Sequence, residues 1–154
     1  MSNETIKSIG NWFALAHGTD PSAIQKKLTV QTAVHFEEVG EMLESLRFSD
    51  LASAVLADEA IEAIKALADH LKAKSQEVVI HAESKELLLD SLCDQIVTAV
   101  GVAHDNGFDI AKGLVEVNRS NFSKFVNGVP VFDENGKIKK GPDYTPPNLA
   151  SYVN

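Results

Sequence analysis

Two pairs of acidic residues stand where helical periodicity places apolar side chains. Val30, Val34, Glu38, Glu41 and Ser45 follow i, i+4, i+8, i+11 and i+15, one stripe of a 3.6-residue helix. Glu38 and Glu41 therefore continue a valine row, whereas Glu37 and Glu44 project to another side where solvent takes their charge. Leu87, Asp90, Asp94, Val97 and Gly101 form a second such stripe, with Asp90 and Asp94 one turn apart. An unpaired carboxylate among apolar neighbours is costly, and the remedies are an arginine, a raised pKa or a metal ion. Arg47 and Arg119 are the only arginines, and neither is spaced to serve both pairs. A hard divalent cation held by Glu38, Glu41, Asp90 and Asp94 is the economical solution. Mg²⁺ is favoured, with Mn²⁺ as a substitute, because it accepts a few carboxylates and completes its octahedron with water and phosphate oxygens. A di-iron centre fits less well: helical di-iron sites use Glu-x-x-His, and none of the five histidines has a glutamate three residues before it. The plainer alternative is that both stripes are solvated faces of acidic helices.

Other residues suit an anionic ligand. Asn118, Asn121 and Lys124 recur at three-residue spacing, so one helix face offers two amides and a point charge. Trp12 could wall a base pocket by stacking, while Phe13 next to it suits the core. Lys137, Lys139 and Lys140 form a basic cluster that either attracts phosphate or keeps an edge soluble.

The elements that must carry these residues are helical up to about Asn127. Segments rich in Ala, Leu, Glu and Lys run from Thr5 to His17, from Pro21 or Leu28 to Leu46, from Ser49 to Lys74, from Ser84 through Val102, and on through Val115 to Phe125. Asp20 or Ser22, Ser84 and Asp109 are candidate caps. Val78-Val79-Ile80 is short and β-branched, and is expected inside a helix or a bent junction. Four of the five prolines fall after Gly128, which excludes a further long helix there. Apolar pieces around Asn135-Gly136 read as a small C-terminal β-hairpin, followed by an extended tail that should lie on a groove, of this chain or of a partner subunit. The expected fold is all-α, a bundle of about five helices in a single domain over residues 1–154.

Composition narrows the function. In 154 residues, 44% hydrophobic content is enough for a core, and 22 acidic against 14 basic side chains give a net charge of -8 that argues against nucleic-acid binding. There is no run of about 18 apolar residues and no signal-peptide layout, so no membrane partner and a cytoplasmic location are expected. Cys93, the one cysteine, reads as core filler.

The motifs themselves resemble a known superfamily. His35-Phe36-Glu37-Glu38-Val39-Gly40-Glu41 is similar to the Glu-Glu-x-x-Glu motif of the all-α nucleoside triphosphate pyrophosphohydrolases, which include MazG proteins, phosphoribosyl-ATP pyrophosphohydrolase and dimeric dUTPases. Asp90-Ser91-Leu92-Cys93-Asp94 resembles their second motif, Glu-x-x-Asp, except that Ser91 stands where the family has glutamate and Asp90 replaces it on the same helix face. The Ser120-Asn121-x-x-Lys124 helix, the Gly136-Lys137 segment and Pro142-Asp143-Tyr144-x-Pro146-Pro147 look like the ending of a phosphoribosyl-ATP-pyrophosphohydrolase-like branch common in bacteria and phages. The resemblance runs from Trp12 to Leu149 and is weakest between Asp50 and Ala82. It implies Mg²⁺-dependent hydrolysis of a nucleoside triphosphate between the α and β phosphates, yielding NMP or dNMP and pyrophosphate. Glu38, Glu41 and Asp94 would be catalytic, these three with Asp90 would hold metal, and Asn118, Asn121, Lys124 and Trp12 would bind substrate, in a homodimer or homotetramer. The alternative is a catalytically weak nucleotide sensor or helical interaction module with a structural metal.

Overall fold

The computed structural model describes residues 3–18, 23–73, 78–132 and 138–153. The expected caps Asp20 and Ser22, the Asn135-Gly136 turn and Lys137 lie outside the described residues. The chain is all-α, with α1 Asn3–His17, α2 Ile24–Ser45, α3 Leu51–Ala73, α4 Lys85–Asp105 and α5 Ile110–Phe122. These elements fall into two compact units, one made of residues 20–81 and the other of residues 1–19 and 82–154.

The contiguous unit is a hairpin of α2 on α3. Thr29, Ala33 and Gly40 are buried on α2 and Ala68 on α3, so small side chains let the two backbones approach. Asp50 starts α3 by accepting the Ser53 amide at 2.8 Å, which holds its carboxyl below the usual range. Residues 78–80 are neither helix nor strand. Their backbone is tied instead to α2: the Val78 amide donates to Thr29 Oγ1 at 3.0 Å, and Gln25 Nε2 donates to the Val78 carbonyl at 2.6 Å.

The other unit packs α1, α4, α5 and the tail. Gly107, at φ +74°, ends α4, and its left-handed turn lets the Phe108 amide reach back to the Ala103 carbonyl at 2.9 Å. Asp109 caps α5 as expected, accepting the Lys112 amide at 3.1 Å. The expected C-terminal hairpin finds no support as paired strands: the described residues hold no strand, only isolated antiparallel bridges, among them Phe132 with Ile138, and the turn between those two lies outside the described residues. A tight turn occurs earlier than expected, at Asn127 and Gly128, which both have positive φ and close a reciprocal Val126–Val129 backbone pair.

The tail lies on this chain's own α5 and runs its whole length. It meets the end of α5 where the Gly141 amide donates to the Lys124 carbonyl at 3.2 Å, and the start of α5 where the Asp109 amide donates to the Tyr152 carbonyl at 2.9 Å. Between these points Ser120 Oγ donates to the Thr145 carbonyl at 2.9 Å, the Thr145 amide donates to Ser123 Oγ at 3.0 Å, and the Asn148 amide donates to Glu116 Oε1 at 2.9 Å. An apolar cleft of about 230 Å³ remains along this seam, lined by Ile110, Leu114, Val117, Leu149 and Tyr152 among others.

Candidate functional site

The substrate-side residues expected from sequence converge on the contact of α1 with α5. Trp12 stacks on Phe125 with ring centroids 5.8 Å apart and planes 12° from parallel, and Phe13 meets Trp12 edge-on at 5.0 Å. Phe125 is buried, which fixes the far side of the indole. Lys124 is half-buried, with its Nζ 6.0 Å from the Trp12 ring centroid and donating to Asn121 Oδ1 at 2.8 Å. No carboxylate of the described residues forms an ion pair with Lys124. A cation held by an amide oxygen beside an aromatic face keeps its full charge for an anion. The indole Nε1–H of Trp12 is buried and meets no acceptor among the described residues. Asn118 has a different task on the same face, since its Nδ2 donates to Ser8 Oγ at 2.8 Å and ties α5 to α1.

The acidic residues are arranged otherwise than periodicity suggested. Glu37 and Glu44, expected to face solvent, form ion pairs with Lys72 and Lys65 of α3, and Glu44 stays exposed as expected. Glu38 and Glu41, expected among apolar neighbours, are exposed and form no ion pair with a described residue. The reason is that the small residues Ala33 and Gly40, rather than the valines, define the face α2 buries, and this rotates the contact stripe. Lys65 sits among Glu44, Glu62 and Glu41; its hydrogen bond to Glu44 and the surrounding negative charge raise its pKa. The nearby cleft of about 640 Å³ at the α2–α3 turn is lined by Glu44, Asp58 and Glu62, with Arg47 donating to the Glu44 and Leu46 carbonyls at 3.0 and 2.7 Å. Lys65 is paired with Glu44 and Arg47 bonds only carbonyl oxygens, so Glu44, Asp58 and Glu62 outnumber the two cations and the cleft is net acidic.

Asp90 and Asp94 are likewise exposed on α4, not set among packed apolar groups. Their stripe is bare along its length, with Leu87 67% and Val97 66% exposed. Cys93, expected in the core, is exposed on the same helix. With the turn before it, α4 covers Ala82–Asp105, the one stretch of the described residues long and apolar enough to cross a membrane by length and composition. Glu38 and Glu41 belong to one compact unit, Asp90 and Asp94 to the other, and no group of three or more His, Cys, Asp or Glu gathers to hold a metal among the described residues.

Sequence reasoning missed the clasp between α5 and the tail. Arg119 donates to both carboxylate oxygens of Glu116 at 2.8 Å, and also to Thr145 Oγ1 and the Pro146 carbonyl. The Arg119 bond and the Asn148 amide hold the Glu116 carboxyl down to about 2. The signal was in the sequence: Gly113, Glu116, Ser120 and Ser123 share one face at three- and four-residue spacing, and the prolines after residue 141 mark an extended partner.

Comparison with known proteins gives no further guide. The chain matches no family model, no curated protein and no solved structure.

Proposed function

We propose that the chain is an Mg²⁺-dependent nucleoside triphosphate pyrophosphohydrolase, which cuts between the α and β phosphates and releases NMP or dNMP and pyrophosphate. The observation that carries this reading is Lys124, a half-buried cation that is bonded to the Asn121 amide, lies beside the Trp12 ring, and has no carboxylate partner among the described residues. A phosphate oxygen is the complement to Lys124, and a base is the complement to an aromatic wall. The exposed pairs Glu38 with Glu41 and Asp90 with Asp94 fit the donor set of Mg²⁺, which binds through one or two carboxylates and takes its other ligands from water and substrate phosphate. When bound, the ion would neutralise triphosphate charge. Water attacks the α phosphorus, one of Glu38, Glu41 or Asp94 takes its proton, and the bond to the bridging oxygen breaks as pyrophosphate leaves. The motif resemblance around Glu38, Glu41 and Asp94 supports the same reading.

The apolar residues left bare on α4, Leu89, Val97 and Val102 among them, support a homodimer or homotetramer. The two acid pairs belong to separate units and no cluster of three acids gathers among the described residues, which favours a second reading, a catalytically weak nucleotide sensor or helical interaction module with a structural metal.

The test is pyrophosphate release from a panel of ordinary and modified NTPs and dNTPs, with and without Mg²⁺, for the wild type, Glu41→Gln and Lys124→Met. Metal-dependent release that Glu41→Gln abolishes supports the hydrolase. Nucleotide binding without release supports the sensor.

A further inference from the structure

The tail's contacts with α5 raise the question of why a strap should run the full length of one short helix and end on the backbone of Lys124. Lys124 lies beyond the last regular turn of α5, where the chain has left the helix and its carbonyl needs a partner. Gly141 supplies it, donating its amide at 3.2 Å. The approach leaves no room for a Cβ unless a neighbour shifts. A Cβ at position 141 would stand 2.9 Å from Val126 Cγ2 and 3.1 Å from the Lys124 carbonyl oxygen. Glycine is needed here for contact, not for its backbone angles.

From Gly141 the tail is pinned step by step. The Tyr144 amide returns to the Gly141 carbonyl at 3.1 Å, Ser120 and Ser123 hold Thr145, and the Glu116–Arg119 pair holds Thr145, Pro146 and Asn148. The opposite face of α5 meets α1 through Asn118 and Ser8, and the Lys124 side chain leaves toward Asn121 and Trp12. The Lys124 backbone is thus gripped from the tail side while its ammonium is offered on the α1 side.

We propose that Gly141 is a positioning residue for phosphate recognition: by seating the tail on the Lys124 carbonyl, it sets where the Lys124 ammonium stands relative to Asn121 and Trp12. This rests on the reading of Lys124 as a phosphate ligand. The group positioned is a phosphate or pyrophosphate anion, and Gly141 acts on it only through Lys124.

Trp12 is the only tryptophan in the chain, so its fluorescence reports on this cluster alone. The experiment titrates inorganic pyrophosphate into the full chain and reads Trp12 emission, for the wild type, Lys124→Met, Gly141→Ala, Gly141→Ala with Val126→Ala, and Ala68→Gly. Ala68 is buried on α3, in the other compact unit, and its change to glycine lowers stability without altering any residue of the cluster. The wild type should bind and Lys124→Met should not. Gly141→Ala should bind on the order of tenfold more weakly, the loss of one charge-assisted hydrogen bond. Val126→Ala should restore most of that by removing the closer clash, and Ala68→Gly should bind as the wild type does. Equal binding by Gly141→Ala and the wild type overturns the positioning role while leaving Lys124 as a ligand. An equal loss in Ala68→Gly overturns it too, because general destabilisation then explains the effect. A wild type that does not respond to pyrophosphate overturns the reading of Lys124 and the positioning role with it.

Discussion

Replacing Gly40 by alanine should stabilise the α2–α3 hairpin, although Gly40 is buried at a helix–helix contact where an added methyl ordinarily clashes. A Cβ at position 40 would meet only Ile64 Cγ2, at 3.8 Å, an ordinary van der Waals distance. A glycine in a helix interior costs about 0.8 to 1.0 kcal/mol relative to alanine. Burying one further methyl group adds up to about 0.8 kcal/mol. The gain is therefore about 1 to 2 kcal/mol, which for a chain of this length raises the melting midpoint by about 2 to 8 °C. Thermal and urea unfolding followed by circular dichroism would measure it, with an unchanged urea slope showing that the unfolded state is not the cause. Because Gly40 lies between Glu38 and Glu41 without contributing a functional group, Mg²⁺-dependent turnover should persist. A lower midpoint would refute the reasoning, since it would mean that the added Cβ meets its α3 neighbours more closely than the 3.8 Å to Ile64 Cγ2.

Ser120→Ala removes a buried hydroxyl and leaves the Thr145 carbonyl with only the longer bond from Ser123, so urea unfolding should show a loss of about 1 to 2 kcal/mol. Glu116 has a folded pKa of about 2 against 4.5 unperturbed, so its contribution is complete above pH 4.5 and is lost as pH falls toward 2. Proteolysis of the tail should therefore increase through that window in the wild type, whereas Glu116→Gln should be susceptible already at neutral pH and show no such rise. Glu38→Gln and Asp94→Asn should leave melting unchanged or higher, because each removes an exposed charge with no ion-pair partner among the described residues, yet pyrophosphate release should fall at least about a hundredfold. Leu89→Glu with Val97→Glu, two exposed positions on α4, should shift the chain to a monomer in size-exclusion chromatography with light scattering.

Helix content and most boundaries were legible in the sequence because they depend on local signals. Asp109 caps α5 as its short polar side chain before an apolar run suggests, and Gly107 ends α4 where Asn-Gly interrupts the pattern, whereas Ser84 precedes α4 without a side-chain cap bond. The face each helix buries was less legible. Counting valines put Glu38 and Glu41 inward, but Thr29, Ala33 and Gly40 decide the contact, and small residues carry little weight in a hydrophobicity pattern. The Asn135-Gly136 turn lies outside the described residues, while Asn127-Gly128, equally visible, makes a tight turn that was not foreseen. At the candidate site, spacing was enough to group Asn121 with Lys124, because that relation lies within one helical turn. Trp12 reaches them from more than a hundred residues away, and only packing could show that.

The order of synthesis adds a consequence to the way the second unit is built. Residues 20–81 form a contiguous helical hairpin whose contacts span short distances along the chain, so it can fold as soon as it has emerged. The unit that holds Lys124 joins residues 3–18 to 82–153 and is strapped by its last dozen described residues, so α1 must wait for more than a hundred residues to be made. The cluster of Lys124, Asn121 and Trp12 is therefore completed after the hairpin, and a ribosome stalled before residue 141 would display the acidic hairpin already folded and the Lys124 carbonyl without its Gly141 partner.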